Sequence, residues 1–203
     1  MSAKIQGLIN ESSFEVVRRE ISAILAVEVA NQWSESDALP ANNPQKLKFK
    51  EPTVFEELTK KGDRTLLPMI NVIVGAQSND GDDLTYYKGD TTYYIDCYTS
   101  AAGNEGSLSM KQTHRLAGIV AKILMSGKYK ALGLPGIVLR RELRDIRFAE
   151  PNDTGAETVT SVRVELNVSM NEVLDISQAP IVGVIQHEVG LCETEFGYIW
   201  QTQ

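Results

Sequence analysis

A strict alternation of apolar and polar residues marks the segment that ends at Met170 as a β-strand. Five apolar residues occupy every second position: Val162, Val164, Leu166, Val168 and Met170 alternate with Ser161, Arg163, Glu165, Asn167 and Ser169. Successive side chains of a strand point to opposite faces of a sheet. The alternation therefore predicts a strand with one face toward a core and one face toward water.

Three further strands are predicted upstream. Residues 69–75 (MINVIVG) are apolar on both faces, which is typical of a strand that is covered on two sides. In residues 91–99 two sets of side chains lie on opposite faces, Tyr93, Ile95 and Cys97 on one and Thr92, Tyr94, Asp96 and Tyr98 on the other. In residues 137–148 the apolar positions change parity near Arg144, which predicts a bulge. A turn at residues 151–155 joins this strand to the alternating one as a long hairpin.

Two segments have helical periodicity. Ser12 and Glu15 form a Ser-x-x-Glu capping box, and apolar residues follow at helical spacing to about Ala30. The second segment has apolar residues at every third or fourth position: Leu116, Ile119, Val120, Ile123 and Leu124. The order helix-strand-strand-helix-strand-strand predicts an α+β fold, with a small, mostly antiparallel sheet and two packed helices.

Two stretches lie outside this pattern. Residues 31–67 are polar and contain Pro40, Pro44 and Pro52, with a short helical turn predicted at residues 54–58. A connection of this length is usually functional or mobile, so we interpret it as an insertion, or arm, that could reach a neighbouring subunit. Residues 173–203 carry only short apolar runs and are interpreted as a tail that packs on a neighbouring subunit. Residues 1–172 then form one core domain.

Composition and charge narrow the function classes. The chain has 203 residues, 42% of them hydrophobic, and a formal net charge of −7. This charge argues against sequence-independent binding of nucleic acid, although an acidic wall would let DNA slide past it. We find no run of about eighteen apolar residues to span a membrane and no signal peptide, and two distant cysteines are expected to be reduced. We expect a soluble protein that is made in the cytoplasm.

The candidate chemical sites are weak. His187, Glu188, Cys192, Glu193 and Glu195 form the only dense collection of metal ligands, but one His and one Cys do not match a zinc site. Residues 79–83 lack the spacing of an EF-hand and are predicted to form a turn. His114 has no recognisable nucleophile beside it and is predicted to be an exposed helix residue. No catalytic, cofactor-binding or metal-binding residue is predicted.

Two clusters are candidates for a subunit interface. Arg140, Arg141, Arg144 and Arg147 form a basic run on one predicted strand, interleaved with Glu142 and Asp145. Mixed charges on a strand indicate either a solvated face or an interface built on ion pairs. Aromatic residues are concentrated in one hairpin and are typical both of strands and of interfaces. Of these, Tyr94 and Tyr98 join the arginines as interface candidates.

The stretch of residues 116–148 (LAGIVAKILMSGKYKALGLPGIVLRRELRDIRF), followed by a polar turn and the alternating strand, resembles the tail terminators of tailed bacteriophages. The resemblance covers about residues 12–170 and is one of layout. It implies a virion protein, assembled in the host cytoplasm, that forms a hexameric ring on the tail tube and performs no reaction. The implied partners are further copies of the chain, the tail tube protein, the head-tail connector and, where present, a sheath protein, with DNA passing through the lumen unbound.

Other functions stay open. The chain is also compatible with another neck, head-tail connector or baseplate component of the same apparatus. A small enzyme would require a pocket with convergent polar groups, and a peptide-binding module would use the Tyr-rich hairpin. The native mass distinguishes these hypotheses, because a ring is several times heavier than one chain of 22.4 kDa.

Overall fold

A computed structural model describes residues 11–57, 64–80, 86–102, 106–149, 152–153, 157–173, 189–194 and 197–202. The chain divides into two compact units, Ile9–Leu174 and a smaller one composed of Met1–Leu8 and Asp175–Gln203. Each unit is described by itself below.

The larger unit is an α+β domain, which confirms the predicted fold class. Its helices are α1 (Ser13–Asp37) and α2 (Gly106–Leu124), and its strands are β1 (Thr53–Glu56), β2 (Met69–Asp80), β3 (Tyr86–Ala102), β4 (Val138–Phe148), β5 (Asn152–Asp153) and β6 (Glu157–Val173). Short 3-10 turns lie at Arg64–Leu66 and Gly127–Tyr129. The strand order is β1-β2-β3-β6-β4, with β5 also paired to β6. All pairs are antiparallel except β1 with β2.

Both helices pack on the same face of the sheet. Their buried residues, among them Ile21, Leu25 and Leu116, form one cluster with the inward side chains of the strands. The alternating pattern of β6 is confirmed, since Val162, Val164, Leu166, Val168 and Met170 are all buried. Burying each such side chain stabilises the fold by roughly 1.5–3 kcal/mol. Within the described residues, no helix covers the opposite face.

The first helix is longer than predicted. The amide of Ser12 donates to Oε2 of Glu15 at 3.1 Å, so the helix begins at the predicted capping box. It continues past Ala30 to Asp37 because its last turns still have a core to face. Trp33 is 6% exposed, donates from Nε1 to the carbonyl oxygen of Phe49 at 3.0 Å, and meets the Phe49 ring edge-on.

The segment 31–67 is not a free arm in its described part. The predicted helical turn at residues 54–58 is wrong, because Thr53–Glu56 form β1, which pairs in parallel with β2. Leu47, Phe49 and Val54 pack against the core of the same unit. These apolar residues are too sparse to produce a periodic signal, yet together they anchor the segment. Residues 58–63 lie outside the described residues.

Two local predictions on the strands have opposite outcomes. The bulge near Arg144 is confirmed, since the register of β4 on β6 shifts between Leu143 and Asp145, and a second shift lies between Val138 and Arg140. The turn predicted to begin at Asn79 is wrong at its start. Asn79 and Asp80 continue β2 and pair with Gly89 and Lys88, because the cross-strand ladder with β3 outweighs their local turn preference. Residues 81–83 lie outside the described residues.

The smaller unit contains a two-stranded antiparallel sheet. Its strands are β7 (Val189–Thr194) and β8 (Gly197–Thr202). Of the weak metal cluster, Cys192 and Glu193 lie in β7, whereas His187, Glu188 and Glu195 lie outside the described residues. The packing of residues 173–203 on a neighbouring subunit stays a prediction.

Candidate interface on the outer face of the sheet

The face of the sheet opposite the helices, called the outer face below, carries a polar network. Its members are Tyr94, Asp96 and Tyr98 on β3, Arg163 and Glu165 on β6, and Arg147 on β4. The strand registers place one row of residues straight across the sheet: Phe55, Asn71, Asp96, Arg163 and Arg147. The next row contains Tyr94, Glu165 and Asp145.

Asp96 and Arg163 form the centre of this network. The guanidinium of Arg163 donates from Nε to Oδ1 of Asp96 at 2.7 Å and from Nη2 to Oδ2 at 2.9 Å. The hydrogen bond to Asp96 raises the pKa of Arg163. Asp96 is only 3% exposed, and a charge this buried requires a paired partner. A bidentate pair also fixes the orientation of the guanidinium.

Two tyrosines complete the cover over Asp96. The guanidinium carbon of Arg163 lies 4.3 Å from the centroid of the Tyr94 ring, which is cation–π geometry. The Tyr98 hydroxyl donates to Oδ2 of Asp96 at 3.3 Å. Burial, together with the negative charge of Asp96, raises the pKa of Tyr98 to about 12. The ring of Tyr94 lies over Gly75, where a Cβ atom would stand 2.5 Å from Cε2 of that ring.

Glu165 is held in the same way by Arg147. Glu165 is 4% exposed, and its Oε1 lies 3.2 Å from Nε of Arg147. Arg147 also pairs with Oδ2 of Asp145 at 3.0 Å. This hydrogen bond lowers the pKa of Asp145 and raises that of Arg147. Among the described residues, arginine and tyrosine side chains are what cover these two carboxylates.

The four arginines of the predicted basic run are not one patch. Arg147 joins the outer face, and Arg140, further along the same face, pairs with Glu142 at 2.8 Å. Arg141 points to the helix side, where it donates to the carbonyl oxygen of Leu124, the last residue of α2, and to that of Ser126. Burial lowers the pKa of Arg141. Arg144 lies in the bulge and is exposed.

A groove opens beside this network at the end of β4. It has a volume of about 260 Å³ and is lined by Tyr98, Arg147, Phe148 and Arg163, among others. Arg163 uses Nε and Nη2 on Asp96, and Arg147 uses Nε and Nη2 on Glu165. Within the described residues, the Nη1 amino group of each arginine stays outside these ion pairs. The groove can therefore accept an acidic group from a partner.

The helix side carries a second groove, of about 420 Å³, between α1 and α2. Its lining includes His114, Lys122 and Tyr129, and the Tyr129 hydroxyl donates to Oε1 of Glu28 at 2.5 Å. His114 is exposed, as predicted, and its ring meets that of Phe148 edge-on at 4.5 Å. In the described ranges, no serine or cysteine side chain is hydrogen-bonded to His114.

The described residues contain neither a candidate metal-binding group nor a candidate membrane-spanning helix. No group of three or more His, Cys, Asp and Glu side chains there is arranged to hold a metal ion. No helix among them is long and apolar enough to cross a membrane.

The pairs Asp96–Arg163 and Glu165–Arg147 were not predicted from the sequence. The signal that could have found them is opposite charge at facing positions of neighbouring strands, but it can be used only when the register is known. The sequence does point to Tyr94 and Tyr98 as interface candidates, and both lie on the polar face of their strand. The fold and this face define the larger unit as an α+β domain whose sheet carries a charged face opposite its two helices. No family model and no curated protein sequence matches the chain.

Proposed function

We propose that the chain is a structural protein of a tailed-bacteriophage virion, a tail terminator that forms a ring, with six copies as the expected number. In this proposal the ring caps the tail tube, stops its growth and presents a surface to the head-tail connector. The protein performs no reaction and holds no cofactor. It is assembled in the host cytoplasm and resides in the neck of the virion.

The observation that carries the proposal is the pre-organised arginine–tyrosine network on the outer face. Arginine and tyrosine are enriched in the energetically important centres of protein interfaces. Here Arg163 is held by Asp96 and stacked on Tyr94 before any partner arrives. A side chain that is already ordered loses less conformational entropy on binding. This arrangement favours assembly.

The charge of the chain supports the same proposal. A net charge of −7 is compatible with a lumen through which DNA passes without being held, because binding to phosphates requires Lys and Arg to neutralise them. The resemblance of residues 116–148 and the following strand to tail terminators supports a position at the end of the tail tube. Another neck, connector or baseplate component is the second candidate, supported by the same network.

The test is the native mass of the purified chain, measured by light scattering and followed by negative-stain imaging of the peak. A ring of six copies has six times the 22.4 kDa mass of one chain. We expect this species, with a central hole, and we expect it to bind to the end of purified tail tubes. A chain that stays monomeric at every concentration and does not bind tubes contradicts the proposal. A ring found elsewhere in the particle favours the second candidate.

A further inference from the structure

The two edges of the sheet carry opposite charge. β1 and β4 stand at the ends of the strand order. The β4 edge, defined here as Arg144, Arg147 and Phe148, carries two exposed guanidinium groups with the Asp145 carboxylate, paired to Arg147, between them. The Phe148 ring is 60% exposed and lies on the helix side, against His114. The β1 edge, defined here as Phe55, Glu56 and Glu57, carries two carboxylates whose side chains are 40% and 47% exposed, beside the half-buried Phe55. Within the described part of the chain, Arg18 is the cation within ion-pair distance of both carboxylates.

The two edges also lie at the same level along the strands. The registers connect Phe55 through Asn71, Asp96 and Arg163 to Arg147. They connect Glu56 through Val72, Ile95 and Val164 to Ile146. Glu57 therefore stands level with the bulge that contains Arg144. Copies in a closed ring are related by rotation without a rise, so patches at one level along the strands can meet in a ring whose axis follows the strands.

The two edges are suited to contact each other through side chains and not through pairing of strands from two copies. β4 has two register shifts in its pairing with β6, and β1 is only four residues long. Bulges and charged side chains are features that prevent edge strands from pairing with other strands. The Arg144 guanidinium, in contrast, makes no ion pair or hydrogen bond within the described part of the chain. It is available to a partner, as is the Nη1 group of Arg147.

The backbone at the β1 edge is unusual for its sequence. Glu57 has a φ of +46°, a conformation that non-glycine residues rarely adopt. Its amide donates to the carbonyl oxygen of Val72 at 2.9 Å, and its carboxylate lies 2.8 Å from Nη1 of Arg18. These contacts fix the position of an exposed carboxylate directly after the strand. Such conformations are concentrated at binding and switch sites.

We infer that the β4 edge of one copy binds the β1 edge of a second copy, with Arg144 and Arg147 facing Glu56 and Glu57. This contact is heterologous, since the two patches differ, and it can therefore repeat around a ring. The inference rests on the proposed function and names the contact through which the ring forms.

The test uses charge reversal on each edge of the full-length chain. Arg144→Glu and Glu57→Arg each place like charges across every contact, and at physiological salt we expect either variant to weaken self-association about tenfold or more. Mixing the two variants should restore the assembly, because each contact between different variants is again complementary. Lys122→Glu and Glu35→Arg are matched reversals on the exposed helix side and should leave the mass unchanged.

The outcomes separate this inference from the proposed function. A wild-type ring that neither reversal weakens overturns the inference and leaves the function standing. The inference is also overturned if each single variant dissociates and the mixture stays dissociated. Circular dichroism must show in that case that both variants are folded. A wild-type chain that stays monomeric at every concentration and does not bind tail tubes overturns both. If Glu57→Arg does not fold, Glu57→Gln replaces it and should weaken association without reversing the charge.

Discussion

Asp96 and Glu165 carry charge on a sheet face over which no helix lies in the described part of the chain, yet both are almost fully buried. Water could have solvated them at this position. Instead, Arg163, Arg147 and the two tyrosines cover them, so the charges of the network are balanced within the face itself. The surface offered to a partner is then made of guanidinium edges and phenol rings. Single side chains thus determine what this face can bind.

Tyr98 gives this network a measurable pH dependence. Its pKa is raised to about 12, above the ordinary value near 10, so the folded state favours the neutral phenol. The corresponding stability is fully present below about pH 10 and is lost as the pH rises toward 12. Urea unfolding across this range should show a steeper loss for the wild type than for Tyr98→Phe. Equal losses would contradict the burial of this hydroxyl against Asp96.

At the scale of elements, the Asp96–Arg163 pair links two neighbouring strands, β3 and β6. Removing the guanidinium with Arg163→Met leaves a buried carboxylate without its bidentate partner. We expect a loss of about 2 kcal/mol in the free energy of unfolding, below the usual cost for a fully buried pair because Arg163 is partly exposed. The control is Arg140→Met, whose pair with Glu142 is exposed and should contribute under about 1 kcal/mol. Urea denaturation at one protein concentration compares the two.

The sequence predicts some elements well for a physical reason. β6 and α2 each present one apolar face at a regular period, so burial and local conformation agree. The bulge in β4 was also predictable, because it changes which side of the strand the apolar residues occupy. β1 was missed because four residues with a parallel partner give no hairpin signal. Its identity depends on pairing with β2, which is not encoded locally.

The candidate interface was predictable only in part for a related reason. Tyr94 and Tyr98 share a parity that places them on the polar face, but the arginines of β4 cannot be assigned to faces by parity. The bulges at Leu139 and Arg144 change the side on which the residues after them lie. Arg141 consequently reaches α2, whereas Arg147 reaches Glu165. Which carboxylate meets which guanidinium depends on the register of three strands, and no single segment contains that information.

At the scale of the whole molecule, the two compact units predict different consequences of truncation. In the described part of the chain, the core of the larger unit is formed by α1, α2, the strands β1 to β4 and β6, and the segment between α2 and β4, so a chain that ends at Leu174 keeps these apolar contacts. We expect it to retain the circular dichroism of two helices and a sheet, and a urea midpoint close to that of the full-length chain. The removed residues, 175–203, are all but two of the tail residues 173–203 that we expect to pack on a neighbouring subunit.

The truncated chain should therefore be folded but unable to complete the ring. Light scattering at matched concentration should give a monomer or short open oligomers, because the contact between the β1 and β4 edges remains while the additional contact is lost. Adding Arg144→Glu to the truncated chain should then give only monomers. This comparison separates the contribution of the edge contact from that of the removed residues. A truncated chain that still forms closed rings and binds tail tubes would contradict the role assigned to residues 175–203. The β1 and β4 edges would then suffice for closure.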